Sequence, residues 1–202
     1  MEAFKSVTSV AIPLMRANVD TDVIIPIQRL LGGTREGLGP YAFERMRADP
    51  DFLLNRTEYK DGAIMLAAEN FGCGSSREGA VWALMGMGVR CVIAPSFGDI
   101  FFANCFQNGL LPVRLPIEDV RRIAAETEAA PGNARTTVDL ERMVVVTPTG
   151  AEIPFATDPR KRDAMLHGLD DISLTKRHAE AIATWRARDA AARAWAWETV
   201  RP

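Results

Sequence analysis

Histidine and cysteine are scarce in this 202-residue chain, and that scarcity narrows the chemistry it can do on its own. Cys73, Cys91 and Cys105 are odd in number and nowhere spaced as CxxC, which argues against a disulfide framework and against a local metal knuckle. Reduced thiols are expected. The two histidines, His167 and His178, fall in helix-like stretches near the C-terminus with no marked acidic partner, so the sequence offers no good relay for a serine-hydrolase triad. Neither the phosphate-binding pattern GxxxxGK[ST] nor GxGxxG occurs. No apolar run approaches the ~18–20 residues that span a bilayer, and "MEAFKSVTSVAIPL" lacks the basic start and long apolar stretch of a signal peptide, so a soluble, cytoplasmic protein without membrane association is expected. No charge of one sign dominates either. The 24 basic and 26 acidic side chains are dispersed, and without a basic tract there is no case for nucleic acid as a partner.

What is present is a sequence that is 48% apolar, ample for a buried core in one large domain. Apolar runs at 7–14, 22–27, 63–68, 90–95 and 110–115 read as strands, with Pro26 confining the second to an edge or a strand end. Val81, Leu84, Met85 and Val89 recur at helical spacing, and a second helix is expected from Ser96 to a Gly109 stop. Strand, helix, strand, helix, strand between 63 and 115 favours an α/β fold with a parallel core. The glycine-rich "LLGGTREGLGP" (30–40) reads as a mobile surface loop, followed by a short helix in "YAFERMRA". "TTVDLERMVVVTP" (136–148) suggests two strands about a turn at Glu141, and "AEIPF" a third. "AETEAAPGNA" is the best linker candidate. Leu174, His178, Ile182 and Trp185 predict a helix that continues to Trp197. One domain over 1–202 is expected, with its core at about 1–128, antiparallel strands at about 136–155 and C-terminal helices at about 159–198.

The stretch "NFGCGSSREGAVWAL" (70–84) carries the chemistry. It has two readings. Ser75-Ser76-Arg77-Glu78 fits a capping box, in which Ser75 accepts from the Glu78 N–H and the Glu78 carboxylate returns to the Ser75 N–H. The same residues also fit an anion cradle, because open N–H groups at a helix start, two hydroxyls and a guanidinium converge where glycines let a ligand approach the backbone. Without a P-loop, a carboxylate is the better ligand than a phosphate, and Arg77 would grip it through two parallel hydrogen bonds. A serine whose alkoxide is stabilised by cationic and N–H partners can act as a base. Cys105, and Cys73 beside the serines, are expected to be buried small hydrophobes, with Cys73 the one to watch because a helix start can lower a thiol pKa and make it oxidisable. Phe97, Phe101, Phe102 and Phe106 give a broad aromatic surface best explained by packing.

Taken together, "NVDTDVIIP" (18–26), "NFGCGSSRE" (70–78), "SFGDIFFANCFQNGLLPV" (96–113) and "GLDDISLT" (168–175) resemble the small subunits of bacterial 3-isopropylmalate dehydratases, in the aconitase superfamily. The resemblance runs over essentially the whole chain. It implies a swivelling β/α domain of the aconitase C-terminal type that closes over a large subunit, with the [4Fe–4S] cluster on that partner and no cofactor on this chain. It further implies Ser75 as the base, Ser76 and Arg77 as carboxylate-binding residues, and Asp22 as an acidic residue at the edge of the site. Asp20 and Asp22 also fit simple turn chemistry before the next element. The loop at 30–38 lies where the family's substrate-recognition loop lies, which makes Arg29 and Arg35 candidate contacts to the distal end of a hydroxy-dicarboxylate. Two departures bear on the substrate: Gly79 stands where the family typically has histidine, and Ile27 where it commonly has lysine. The implied reaction is isomerisation of 2-isopropylmalate to 3-isopropylmalate in leucine biosynthesis. The alternatives are a paralogue acting on citramalate, a dimethylmalate or malate/maleate, and a binding module without catalysis.

Overall fold

The computed structural model describes residues 1–31 and 34–197. Within them the strands are β1 (Ser6–Ser9), β2 (Ala11–Pro13), β3 (Ile64–Leu66), β4 (Cys91–Ala94), β5 (Leu111–Arg114), β6 (Thr136–Asp139), β7 (Val144–Val146) and β8 (Glu152–Pro154). The helices are α1 (Thr21–Ile24), α2 (Ile27–Leu30), α3 (Glu44–Arg47), α4 (Glu78–Gly86), α5 (Asp99–Asn108), α6 (Ile117–Glu128), α7 (Pro159–His167), α8 (Asp171–Lys176), α9 (Ala179–Ala192) and α10 (Ala194–Trp197).

The strands form two sheets. β2, β3, β4 and β5 lie side by side in that order, all parallel, with Ala11 opposite Ile64, Ile64 opposite Cys91 and Cys91 opposite Leu111. β1, β6, β7 and β8 form an antiparallel meander with Val7 opposite Val138 and Val138 opposite Val145. The apolar run predicted as one strand at 7–14 is therefore divided at Val10, its first half in one sheet and its second in the other. Both faces of the parallel sheet are covered, which is why its strands read as unbroken apolar runs. Ile12, Met65 and Val92 point into a core with Val81 and Leu84 of α4 and Phe101 and Cys105 of α5. Their neighbours Ala11, Ile64, Cys91 and Ile93 point the other way, against Val120 and Ile123 of α6, Met165 of α7 and the meander's Val138, Val145 and Ile153.

Several sequence expectations are corrected. The run at 22–27 is not a strand: Thr21–Ile24 makes a helical turn because the Asp20 carboxylate accepts the Val23 N–H at 2.7 Å, and Ile24 and Ile25 are wholly buried. Local capping and burial here outweigh the weak β preference of branched side chains. The helix predicted over 41–48 is cut to Glu44–Arg47 because Phe43, buried at the helix start, takes a left-handed backbone with φ of 56°. The second helix starts at Asp99 rather than Ser96, whose hydroxyl accepts the Asn70 N–H at 2.8 Å, and ends at Gly109 as expected, with φ of 89°. The first four residues of "AETEAAPGNA" belong to α6, with Thr127 buried among them, and the connection to β6 is confined to the rest. The C-terminal helix is interrupted at Arg177–His178 and again at Arg193, and α9 has no buried residue, so Ile182 and Trp185 stay exposed. Its predicted end at 198 lies outside the described residues.

Gly32 and Gly33 of the predicted loop are also outside the described residues. Leu31, Thr34 and Arg35 are exposed, whereas at the far end of the loop Leu38 is buried and Gly39 packs against the Gly86 backbone so closely that a Cβ there would meet the Gly86 carbonyl oxygen at 2.2 Å. Among the described residues, no helix is long and apolar enough to cross a membrane.

Candidate active site at the carboxyl ends of the parallel strands

The chain leaves β3 through Ala67–Glu69 and enters the motif at Asn70, on the side of the sheet where the parallel strands end. Open parallel sheets place ligands at this edge. Residues 18–21 run alongside: the Asn18 N–H donates to the Glu69 carbonyl at 2.9 Å, Gly72 N–H to Val19 at 2.7 Å and Thr21 N–H to Cys73 at 3.0 Å. Asn18 and Asn70 both have left-handed backbones, with φ of 53° and 60°, and are joined side chain to side chain at 2.8 Å. The Thr21 hydroxyl then donates to the Ser75 carbonyl at 3.1 Å. This ladder brings Asp22 onto Arg77, whose guanidinium is ion-paired to the Asp22 carboxylate.

Beneath the turn, Phe71 is fully buried between the rings of Phe97 and Phe101, with centroids 6.4 and 5.5 Å away. Gly72 follows with φ of +72°, and a Cβ there would sit 2.2 Å from the Phe101 ring. The turn is thus seated on an aromatic floor. That is the structural part played by the phenylalanines of the "SFGDIFF" stretch.

The capping box does not form. Arg77 occupies the N-cap position of α4 without a side-chain cap, and its N–H donates to the Ser75 carbonyl at 2.8 Å. The Glu78 carboxylate accepts instead from the Asn108 amide at 2.7 Å. Ser75 and Ser76 are exposed, and among the described residues neither hydroxyl has a hydrogen-bond partner; the same holds for the N–H groups of Gly74, Ser75 and Ser76. The Arg77 side chain is 19% exposed and pairs with Asp22 through one terminal nitrogen, so Asp22 orients the fork while leaving other donors open. Exposed hydroxyls, open N–H groups and an oriented guanidinium can receive a carboxylate and stabilise negative charge on a serine oxygen.

The other predicted residues have other partners. Arg29 is paired with Glu44 at 2.8 Å and lies over the Tyr41 ring at 4.1 Å. Arg35 donates to the Asn108 side chain at 2.8 Å and lies 5.5 Å from the Trp82 ring centroid. Asp20 caps α1, the turn chemistry that one reading gave both aspartates, whereas Asp22 pairs with Arg77. At Gly79 the space a Cβ would take is filled by Leu30, 2.4 Å from that position. Cys73 is half-buried, and the helix start does not lower its thiol: burial, reinforced by the neighbouring Asp20 charge, pushes the pKa up. Cys91 and Cys105 are buried and likewise raised. Asn108, which sequence reasoning missed, gave no signal beyond being a polar residue at the end of a largely apolar helix.

Among the described residues, no three His, Cys, Asp or Glu side chains are grouped so as to hold a metal ion. The three thiols are not grouped as cluster ligands: Cys91 of β4 and Cys105 of α5 are buried in separate core clusters, and Cys73 lies in the turn.

A parallel sheet covered on both faces, a Gly-rich turn bearing Ser-Ser-Arg at its carboxyl edge and a small antiparallel sheet define an aconitase-type swivel domain. The family model described as the aconitase C-terminal domain matches residues 1–118, and a second, described as LeuD_N, matches residues 121–159. The chain belongs to the family of 3-isopropylmalate dehydratase small subunits within this class. It is 50% identical to the 3-isopropylmalate dehydratase small subunit of Gluconacetobacter diazotrophicus over 201 residues, covering 96% of this chain and 97% of that one. It is 47% identical to the one of Dinoroseobacter shibae, covering 96% of this chain and all of that one. Among solved structures, a 3-isopropylmalate dehydratase from Methanocaldococcus jannaschii matches with a TM-score of 0.66 at 27% identity, over 89% of this chain and 98% of that chain.

Proposed function

We propose that this chain is the small subunit of a heteromeric hydro-lyase that converts 2-isopropylmalate to 3-isopropylmalate in leucine biosynthesis, active only with a large subunit. The observation that carries this reading is the uncapped Ser75–Arg77 turn, with both serine hydroxyls exposed and Arg77 oriented by Asp22. In this reading Arg77 and the Ser76 hydroxyl hold one substrate carboxylate. The Ser75 oxygen takes the proton from the carbon next to that carboxylate, the hydroxyl on the neighbouring carbon departs with its bonding electron pair, and a double bond forms between the two carbons. Rehydration with the opposite regiochemistry returns that proton from Ser75 to the adjacent carbon and places the hydroxyl on the other. The open N–H groups of the turn and the Arg77 charge make the alkoxide accessible. The [4Fe–4S] cluster implied by the family resemblance is assigned to the large subunit, where it would supply Lewis acidity for the departing and returning hydroxyl.

Leu30 favours a branched alkyl substrate over malate. Its side chain lies on Gly79, the second residue of α4, so an apolar side chain packs at the helix start where the family typically has a histidine. A panel of 2-isopropylmalate, citramalate, dimethylmalate and malate, turned over anaerobically by this chain with its cluster-loaded large subunit, tests the assignment. Ser75→Ala is expected to lower kcat by about 10²–10⁴-fold, the usual worth of a positioned acid–base group, with KM little changed. Equal turnover by the variant would remove Ser75 from the chemistry, and no turnover of any substrate by the wild-type mixture would favour a binding module.

A further inference from the structure

We infer that Asn108 is a positioning residue for the Ser75–Arg77 turn, holding the Glu78 carboxylate out of the capping bond that its sequence spacing favours. The inference rests on the reading of Ser75 as the base. Asn108 ends α5, is 4% exposed, and uses its whole amide. Its oxygen accepts from Arg35 at 2.8 Å and from the Trp82 indole N–H at 2.9 Å. Its NH₂ group donates to Glu78 at 2.7 Å and to the Asn104 carbonyl at 2.9 Å. The orientation is unique, because a flipped amide would set its NH₂ against two donors and its oxygen against a carboxylate and a carbonyl.

The consequence lies in what Glu78 is prevented from doing. In Ser-x-x-Glu at a helix start, the favourable local arrangement turns the serine hydroxyl onto the Glu N–H and the carboxylate back onto the serine N–H. In this protein that arrangement would turn the Ser75 oxygen into the helix, occupy an N–H of the anion-receiving turn and add a negative charge where a substrate carboxylate must bind. The buried Asn108 amide competes with it successfully, since a hydrogen bond to a carboxylate in a water-poor setting is stronger than a cap in solvent. Asn108 also fastens Arg35 of the 35–37 turn to α4, so the segment beside the glycine-rich loop and the catalytic turn share one anchor. Arg35 accordingly belongs to the support of the site.

The test uses the assembled enzyme with its cluster-loaded large subunit. Asn108→Asp is nearly isosteric and keeps an oxygen for Arg35 and Trp82, but it sets a second carboxylate oxygen against Glu78 and drives Glu78 back toward Ser75. It is expected to lower kcat about 10–100-fold, the usual cost of a misplaced reacting group, and to raise KM as the Glu78 charge enters the turn that receives the substrate carboxylate. Adding Glu78→Gln supplies an NH₂ that donates to the introduced carboxylate, reversing the sense of the original bond, and is expected to restore kcat to within about five-fold of wild type. If Asn108→Asp fails to assemble, Asn108→Ala with and without Glu78→Ala asks the same question, because removing the carboxylate then restores turnover even though packing is lost twice. Full activity of Asn108→Asp, or a double variant no better than the single one, overturns the inference. A Ser75→Ala control that retains full turnover overturns the base reading and this inference with it. A Ser75→Ala loss without an Asn108→Asp loss overturns this inference alone.

Discussion

Replacing Gly72 by alanine should damage both the stability of this chain and the seating of its Ser75 turn. Gly72 has φ of +72°, a region where a Cβ costs about 1 kcal/mol. The added carbon would also lie 2.2 Å from Cγ and 2.4 Å from Cδ1 of the Phe101 ring, which is 2% exposed and stacked among Phe71 and Phe97 with no room to withdraw. Overpacking of this kind costs about 1–3 kcal/mol. The sum, about 2–4 kcal/mol, corresponds to a Tm lowered by about 5–15 °C in a domain of this size. Denaturant unfolding of the purified chain gives the first number and turnover with the large subunit gives the functional one. Phe101→Ala alone should cost about 3–5 kcal/mol through its cavity, yet in the Gly72→Ala background it removes the clash. The double variant should therefore be more stable than the sum of the singles predicts, by about 1–3 kcal/mol. A Gly72→Ala protein that melts within about 1 °C of wild type, or strict additivity with Phe101→Ala, would refute the seat described for the turn.

Arg77→Lys keeps the charge but loses the planar fork held by Asp22, and is expected to raise KM for 2-isopropylmalate about ten-fold, whereas an unchanged KM would show that the fork does not hold the carboxylate. Burial opposes the charge on Glu126, whose side chain is 14% exposed, but hydrogen bonds from Thr147, the Thr149 N–H, Arg122 and the Thr149 hydroxyl outweigh it and bring the carboxyl down to about 2. Because the folded value lies below the unfolded one of about 4.3, this group's contribution, on the order of 2–3 kcal/mol, is present above pH 5 and lost as pH falls toward 2. Glu126→Gln should flatten that part of an acid denaturation curve, and an identical curve would refute the linkage. Cys73 should alkylate with iodoacetamide more slowly than a free thiol at pH 7.5, and Cys91 and Cys105 slower still, as read by mass spectrometry of the native chain; a fast Cys73 would mean that its thiol is not raised.

The sequence by itself determined the parallel core, because strands buried on both faces must be apolar throughout and β3, β4 and β5 stand out as such runs. It also determined the Gly109 helix stop, the strands of the meander within 136–155, and the Ser-Ser-Arg turn, since glycine, proline and hydroxyl residues act through local backbone chemistry. Tertiary structure decided the rest. Only the pairing of residues 18–21 with 69–75 turns a branched apolar stretch into the helical turn that delivers Asp22 to Arg77. Only the packing of α5 on α4 brings Asn108 to Glu78, converting a sequence that spells a capping box into an open site. Local preferences of about 1 kcal/mol are legible along a chain, but a buried amide or ion pair contributed from dozens of residues away outweighs them and leaves no periodic trace.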